Sequence, residues 1–397
     1  TILMNDQAPG MNRETTDPLS GEKANIGILR GFRDISEQSR VGFFLSDREL
    51  GDGFNRVASL DARLKLNDNW ITNMQVVGTD TEPVLGGDPT QGYQRNIQIN
   101  RVGRTVNTHS HFIETTDNFR TDLGFQNRFF KPDTSGIHNS LNLNFYPESP
   151  NINSWTAGLF DVYLNDTDGT RIYHQLGPNF ELNFATTTIG ARFTDYAEIL
   201  RPKDFIGVIS NTRYDYENWQ IDFSNNTSQT ASIRASYRQG RALNLVPTRG
   251  ALPYVANTSR VDISFFWRPI ERLQIQNTYF LTELENRNSD TKIFTNEIFR
   301  SNWNYQFTKE LSLRFITQYD KTDSGPATRL EDNENLNFDL LLRYVINPWS
   351  AFYVGYNSNQ SNFDIVEMEG ERELVVANEL RQDGDQIFVK FSYLFQR

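Results

Sequence analysis

Alternation of apolar and polar residues with period two runs through this chain, and it admits few folds. Leu311, Leu313, Phe315, Thr317 and Tyr319 fall on one side of an extended segment, and Ser312, Arg314, Gln318 and Asp320 on the other, with Ile316 the exception. Ala58, Leu60, Ala62, Leu64 and Leu66 oppose Ser59, Asp61, Arg63 and Lys65. Val261, Ile263, Phe265 and Trp267 oppose Asp262, Ser264 and Arg268, and Ile233, Ala235 and Tyr237 oppose Arg234, Ser236 and Arg238. Successive side chains of a strand point to opposite faces, so each segment reads as a strand with one apolar and one polar face. Alternation alone also suits a two-layer sandwich whose polar faces meet water.

The spacing of the breaks separates these readings. Short breaks recur at 34–37, 67–69, 103–107, 147–151, 185–188, 226–229, 269–272, 308–310 and 347–349. Between them lie longer polar stretches, clearest at 78–92, 117–136, 241–258, 321–335 and 357–386. Short turns at one end and long loops at the other is the asymmetry of outer-membrane barrels, with the turns periplasmic and the loops extracellular. Nine turns join eighteen strands, and the segments Thr1–Met4 and 386–395 add two. The sequence therefore predicts an all-β fold, an antiparallel transmembrane β-barrel of about 20 strands (18–22), with residues 1–397 forming a single domain in the bacterial outer membrane. Closure follows from the solvent: in hydrocarbon every backbone N–H and C=O must find a partner within the protein. Thr1–Met4 reads as the end of a strand, so the chain is expected to continue upstream of Thr1.

Composition narrows the class. Apolar residues make up 37% and aromatic residues 13%, with 29 Phe and 16 Tyr, and no run reaches the roughly 18–20 apolar residues of a spanning helix. So many aromatic and β-branched residues also argue against disorder. The chain has no cysteine, which fits an oxidising compartment. Its net charge of -11 disfavours nucleic acid, whose phosphates call for a basic face. The expected surroundings are outer-membrane lipid and lipopolysaccharide.

Several stretches resemble a known family. They are Gly53-Phe-Asn-Arg-Val-Ala-Ser-Leu-Asp-Ala-Arg-Leu-Lys-Leu-Asn-Asp-Asn-Trp70, Phe119-Arg-Thr-Asp-Leu-Gly-Phe125 with Arg128, and Asn304-Tyr-Gln-Phe-Thr-Lys-Glu-Leu-Ser-Leu-Arg314. Leu342-Arg-Tyr-Val-Ile-Asn-Pro348 with Tyr353-Val-Gly-Tyr356, and Val389-Lys-Phe-Ser-Tyr-Leu-Phe395, complete the set. In this order they are similar to a bacterial outer-membrane family of unknown function (domain-of-unknown-function family 5916), the C-terminal barrel of carbohydrate-binding family 9 domain-containing proteins. The resemblance implies a barrel preceded, in full-length members, by a β-sandwich resembling carbohydrate-binding modules. It brings no catalytic residues.

Candidate functional residues fall into five groups. Arg63, Lys65, Arg234, Arg238, Arg314, Arg343 and Lys390 lie opposite apolar faces, and so are expected in the lumen, because a cation facing mid-bilayer lipid costs ~2–4 kcal/mol. There they either select solutes or pair with acids such as Asp61 and Asp339. His109 and His111, two apart on one face, could share a metal with Glu114 or Asp117, or serve as plain polar lining. The sequence assigns no metal and no other cofactor, and the four histidines, His109, His111, His138 and His174, match no catalytic motif. The final strand, with Phe391, Tyr393 and Phe395 on one face, resembles the signal read by the outer-membrane assembly machinery. The acidic stretch 357–386 is expected as a long extracellular loop that plugs the lumen, binds a surface or periplasmic partner, binds divalent cations with lipopolysaccharide, or stays solvated. Trp70, Trp219, Trp303 and Trp349 are candidates for an interfacial aromatic belt.

Three functions follow as expectations. The leading one is a porin-like channel for solutes. The second is an anchor or docking barrel for a surface or carbohydrate-binding complex. The third is an outer-membrane hydrolase, which the unmatched histidines disfavour.

Overall fold

A computed structural model of the chain describes residues 1–11, 13, 16–124, 133–347, 349–368 and 371–393. Among the described residues twenty strands follow one another. They are β1 (Ile2–Asp6), β2 (Ala24–Ser36), β3 (Ser39–Leu50), β4 (Gly53–Lys65), β5 (Trp70–Glu82), β6 (Thr90–Arg101), β7 (Val106–Thr115), β8 (Thr134–Phe145), β9 (Ser154–Asp166) and β10 (Arg171–Phe184). Then come β11 (Thr187–Leu200), β12 (Thr212–Asn225), β13 (Ala231–Asn244), β14 (Tyr254–Ile270), β15 (Leu273–Glu285), β16 (Lys292–Gln306), β17 (Leu311–Ser324), β18 (Asn333–Asn347), β19 (Ser350–Met368) and β20 (Glu371–Ser392). Each of the nine expected short turns falls between consecutive strands, as at 37–38, 66–69 and 271–272.

The chain divides into two units. In the first (Thr1–Phe145, Thr156–Pro178 and Tyr196–Ile199), strands β1 to β8 each pair antiparallel with the next. The register carries Val41, Ala62, Met74, Ile97, Phe112 and Ile137 side by side across β3–β8. One residue along, on the opposite face, the same strands align Arg40, Arg63, Asn73, Gln98, His111 and His138. A one-residue slip would exchange these rows, so lipid on one side fixes the register strongly.

The second unit (Tyr146–Trp155, Asn179–Asp195 and Leu200–Arg397) repeats the logic from β12 to β20. Phe223, Ala235, Ile263, Tyr279, Phe299, Tyr319 and Leu336 form an apolar row. Ser224, Arg234, Ser264, Thr278, Arg300, Gln318, Asn337 and Asn359 form the polar row behind it.

The apolar faces are bare. Leu60 is 70% exposed and Ile387 74%, and Phe43, Val76, Trp267, Leu340 and Phe391 are exposed as well. A soluble monomer seldom tolerates an apolar patch beyond a few hundred Å². A bilayer removes the penalty, and polar atoms on this face are closed among themselves: Trp303 Nε1 donates to Ser301 Oγ (2.7 Å), which donates to Asn277 Oδ1 (2.6 Å). Cross-strand pairs also set a glycine beneath an aromatic ring, Gly31 with Phe43 on the apolar face and Gly355 with Phe388 on the polar one. A Cβ on Gly355 would stand 2.2 Å from the Phe388 ring, so the ring covers backbone that only glycine exposes.

The loops depart from expectation. Residues 357–386 do not form a long loop: β19 runs to Met368 and β20 starts at Glu371, with Phe363 paired to Val376 and Ile365 to Leu374. Elsewhere strands enter the stretches read as loops, leaving 83–89, 245–253 and 325–332 as connections. Polarity ends the apolar band, not the hydrogen-bond ladder. Beyond the band, ion pairs such as Arg95–Glu114 (3.3 Å) and Lys321–Glu334 (2.9 Å) join neighbouring strands where apolar pairs did so below.

Candidate pore-lining site

All seven cations singled out from the sequence lie on the polar faces. Arg63 and Lys65 share a face with Asp61 on β4, Arg234 and Arg238 lie behind the Ile233–Ala235–Tyr237 face, and Arg314, Arg343 and Lys390 lie behind their apolar neighbours on β17, β18 and β20. The acids expected to neutralise them are otherwise engaged. Asp61 is held by Arg30 through two hydrogen bonds, and Asp339 accepts one from Asn357. Among the described residues none of the seven has a carboxylate within ion-pair distance. Arg238 instead donates to Gln220 Oε1 from Nε (3.0 Å) and Nη2 (2.6 Å). Arg343 and Lys390 both face Tyr353 across the ladder, and the Lys390 ammonium lies 6.0 Å from its ring. Arg234 joins Asp222, Asp262 and Arg192 around a 460 Å³ concavity of the second unit.

In the first unit the connection after β7 folds onto the polar face. Phe119 is 6% exposed and packs against Val57 and Val77. Asn55, 2% exposed on β4, holds the segment: its Nδ2 donates to Arg120 O (3.0 Å) and Thr81 Oγ1 (2.8 Å), and its Oδ1 accepts from the Asp122 N–H (3.0 Å). Arg48 Nη1 meets Asp122 Oδ2 at 3.2 Å, and Arg120 Nε donates to Asp122 Oδ1 at 2.6 Å. Gly92 makes the approach possible, since a Cβ there would lie 2.4 Å from Phe119 N. The sequence predicts 117–136 as an extracellular loop, whereas its described part folds onto the polar face, and Asn55, an isolated asparagine on a polar face, gives no signal in the sequence; residues 125–132 lie outside the described residues.

The histidines converge with a partner the sequence did not indicate. His109 and His111 project from β7, and His138 on β8 is the cross-strand neighbour of His111. Glu114, offered as a co-ligand, is on the opposite face with Arg95, and Asp117 is exposed in the connection. The three rings lie close, with His109 edge-on to His138 at 5.2 Å and to His111 at 6.0 Å.

At the last strand, Phe391 and Tyr393 are exposed on the apolar face with rings stacked 6.1 Å apart, while Phe395 lies outside the described residues. Trp219, Trp303 and Trp349 are exposed and Trp70 is half-buried.

No family profile and no curated protein matches the chain. Solved structures do. The siderophore receptor PirA from Acinetobacter baumannii aligns with a TM-score of 0.55 at 9% identity over 93% of this chain and 71% of its own. The FrpB iron transporter from Neisseria meningitidis aligns with 0.55 at 10% identity over 87% and 69%. The outer membrane transporter YddB from Escherichia coli aligns with 0.52 at 8% identity over 93% and 68%. Identities this low speak for the fold alone, and that fold, with its bare apolar face, is the antiparallel transmembrane β-barrel of the bacterial outer membrane.

Proposed function

We propose that this chain is a channel that passes small hydrophilic solutes across the outer membrane, narrowed by the inward-folded segment 116–124. The observation that carries the reading is this segment, pinned by Asn55 against the polar face of β3–β6. A barrel that turns its apolar face to lipid turns its polar face inward, and at about 20 strands the interior is wide enough for water unless something fills it. A loop held inside by a buried side chain is a means of setting the width of such a passage. The cations without carboxylate partners on the second unit's polar face add a preference for anionic or strongly polar solutes. The neighbours in fold named as receptors and transporters agree with a role in passage, and the reading takes no solute from them.

Single-channel recording in planar bilayers tests it. Purified protein should give discrete, ohmic openings, and removing residues 117–123 should raise the conductance. Folded, membrane-inserted protein that stays silent both intact and with the segment removed would overturn the proposal.

A further inference from the structure

We propose that His109, His111 and His138 form a binding site for a divalent transition metal of the zinc or copper(II) class on the polar face of β7 and β8. The ligand nitrogens of the three imidazoles all lie within 4.8 Å of one another. Nitrogens about 2.0–2.1 Å from a tetrahedral metal stand roughly 3.3 Å apart, so the rings need to close by at most about 1.5 Å, which modest side-chain rotations supply. The backbone needs no change, because the strand ladder already presents all three residues on one face. His111 and His138 are a cross-strand pair, and His109 follows two residues along β7.

A second set of contacts prepares the rings. His109 Nδ1 lies 2.6 Å from Asn100 Oδ1, and His111 Nε2 lies 3.0 Å from Asn96 Oδ1. An amide oxygen only accepts, so each of these ring nitrogens carries the proton. The lone pair is thereby placed on Nε2 of His109 and on Nδ1 of His111. Fixing the tautomer and ring orientation through the second nitrogen is what supporting residues do around metal-bound histidines. Both asparagines come from β6, the strand paired with β7, and Asn100 is the direct partner of His109.

The donor set defines the metal. Imidazole suits zinc, copper and nickel, whereas calcium and magnesium require oxygen ligands. Three protein ligands leave a fourth position, and the half-buried His109 and His138 place it on the interior side, open to water or a passing solute. The inference is independent of conduction, because binding is measured on protein in detergent.

The test is isothermal titration of tag-free, chelator-stripped protein with zinc chloride, paired with copper(II) electron paramagnetic resonance. Expected are one zinc per chain with micromolar or tighter affinity, nitrogen couplings on copper(II), and no response to calcium or magnesium. His109→Gln and His138→Gln, on different strands, should each weaken binding at least about 100-fold, and Asn100→Leu about 10–100-fold, as lost supporting contacts typically do. Heat-modifiable gel mobility identifies folded variants. Absence of zinc binding by the folded wild-type protein, or stoichiometric binding that survives both histidine substitutions, overturns the site.

Discussion

Replacing Asn55 with alanine isolates the contact that holds the inward segment. The side chain is almost wholly buried, and all three of its hydrogen bonds are within 3.0 Å. Two join β4 to the segment, through Arg120 O and the Asp122 N–H; the third, to Thr81 on β5, orients the amide. Each hydrogen bond contributes about 0.5–1.5 kcal/mol net, and a buried donor or acceptor left without a partner costs about 1–3 kcal/mol. With the Arg120 carbonyl and the Asp122 N–H both stranded in the docked state, docking weakens by about 3 kcal/mol. At 1.4 kcal/mol per factor of ten, that is about a hundredfold in the ratio of docked to released segment. Hydrogen exchange reads this ratio directly. The Asp122 amide should exchange about a hundredfold faster in Asn55→Ala, while amides within the β4–β5 ladder keep their wild-type protection. Thr81→Val, which removes only the orienting partner, should accelerate exchange about tenfold or less. An Asp122 amide whose exchange is unchanged in folded Asn55→Ala would refute the claim that this side chain secures the segment.

Three further outcomes follow from the same structure. Gly92→Val should release the segment as Asn55→Ala does, because the new Cβ falls 2.4 Å from Phe119 N, whereas Gly78→Ala meets nothing within 4 Å and should leave conductance and exchange unchanged. Arg343→Glu combined with Lys390→Glu reverses the charge on both sides of Tyr353 and should shift the zero-current potential in a salt gradient toward cation selectivity; an unchanged potential removes these residues from the conducting path. Asp332 accepts hydrogen bonds from the Ser324 hydroxyl and N–H, which hold its pKa below the usual carboxylate range. A depressed folded pKa gives stabilisation that is present above the unfolded value near ~4 and is lost as pH falls through the folded value, so exchange in 325–332 should rise only in acid, and Asp332→Asn should abolish that acid step.

What could be read from the sequence, and what could not, divides along the two ends of each strand. Period two states which face a residue occupies, and that suffices to put Arg63 opposite Leu60 and Arg343 opposite Leu342. It does not state which residue stands beside it on the next strand. A tight turn supplies that information, because residues equidistant from its centre pair. Asn100 with His109 and Gln98 with His111 reflect about a point between 104 and 105, one residue past the centre of the 102–105 turn, so counting from the turn puts Asn100 and His109 on one face and leaves their direct pairing to the folded ladder. His138 is joined to β7 through the long connection 116–133, whose length sets no centre, and its pairing with His111 is a product of the folded ladder. Asn55 is further from view: its partners Arg120 and Asp122 lie more than sixty residues away in a segment whose polarity suggested exposure. The stretch 357–386 shows the converse. Its acidic residues resemble a solvated loop, yet Phe363, Ile365, Val375 and Val376 are paired in the β19–β20 ladder, which resumes beyond register shifts at 359–363, because a strand that leaves the bilayer loses its apolar partner face and keeps its backbone pairing. Lipid dictates side-chain pattern only where it touches the strand, so the membrane-spanning part of this barrel is written in its sequence, whereas the contacts that make a site of it arise from register and from a chain segment that folds back inside.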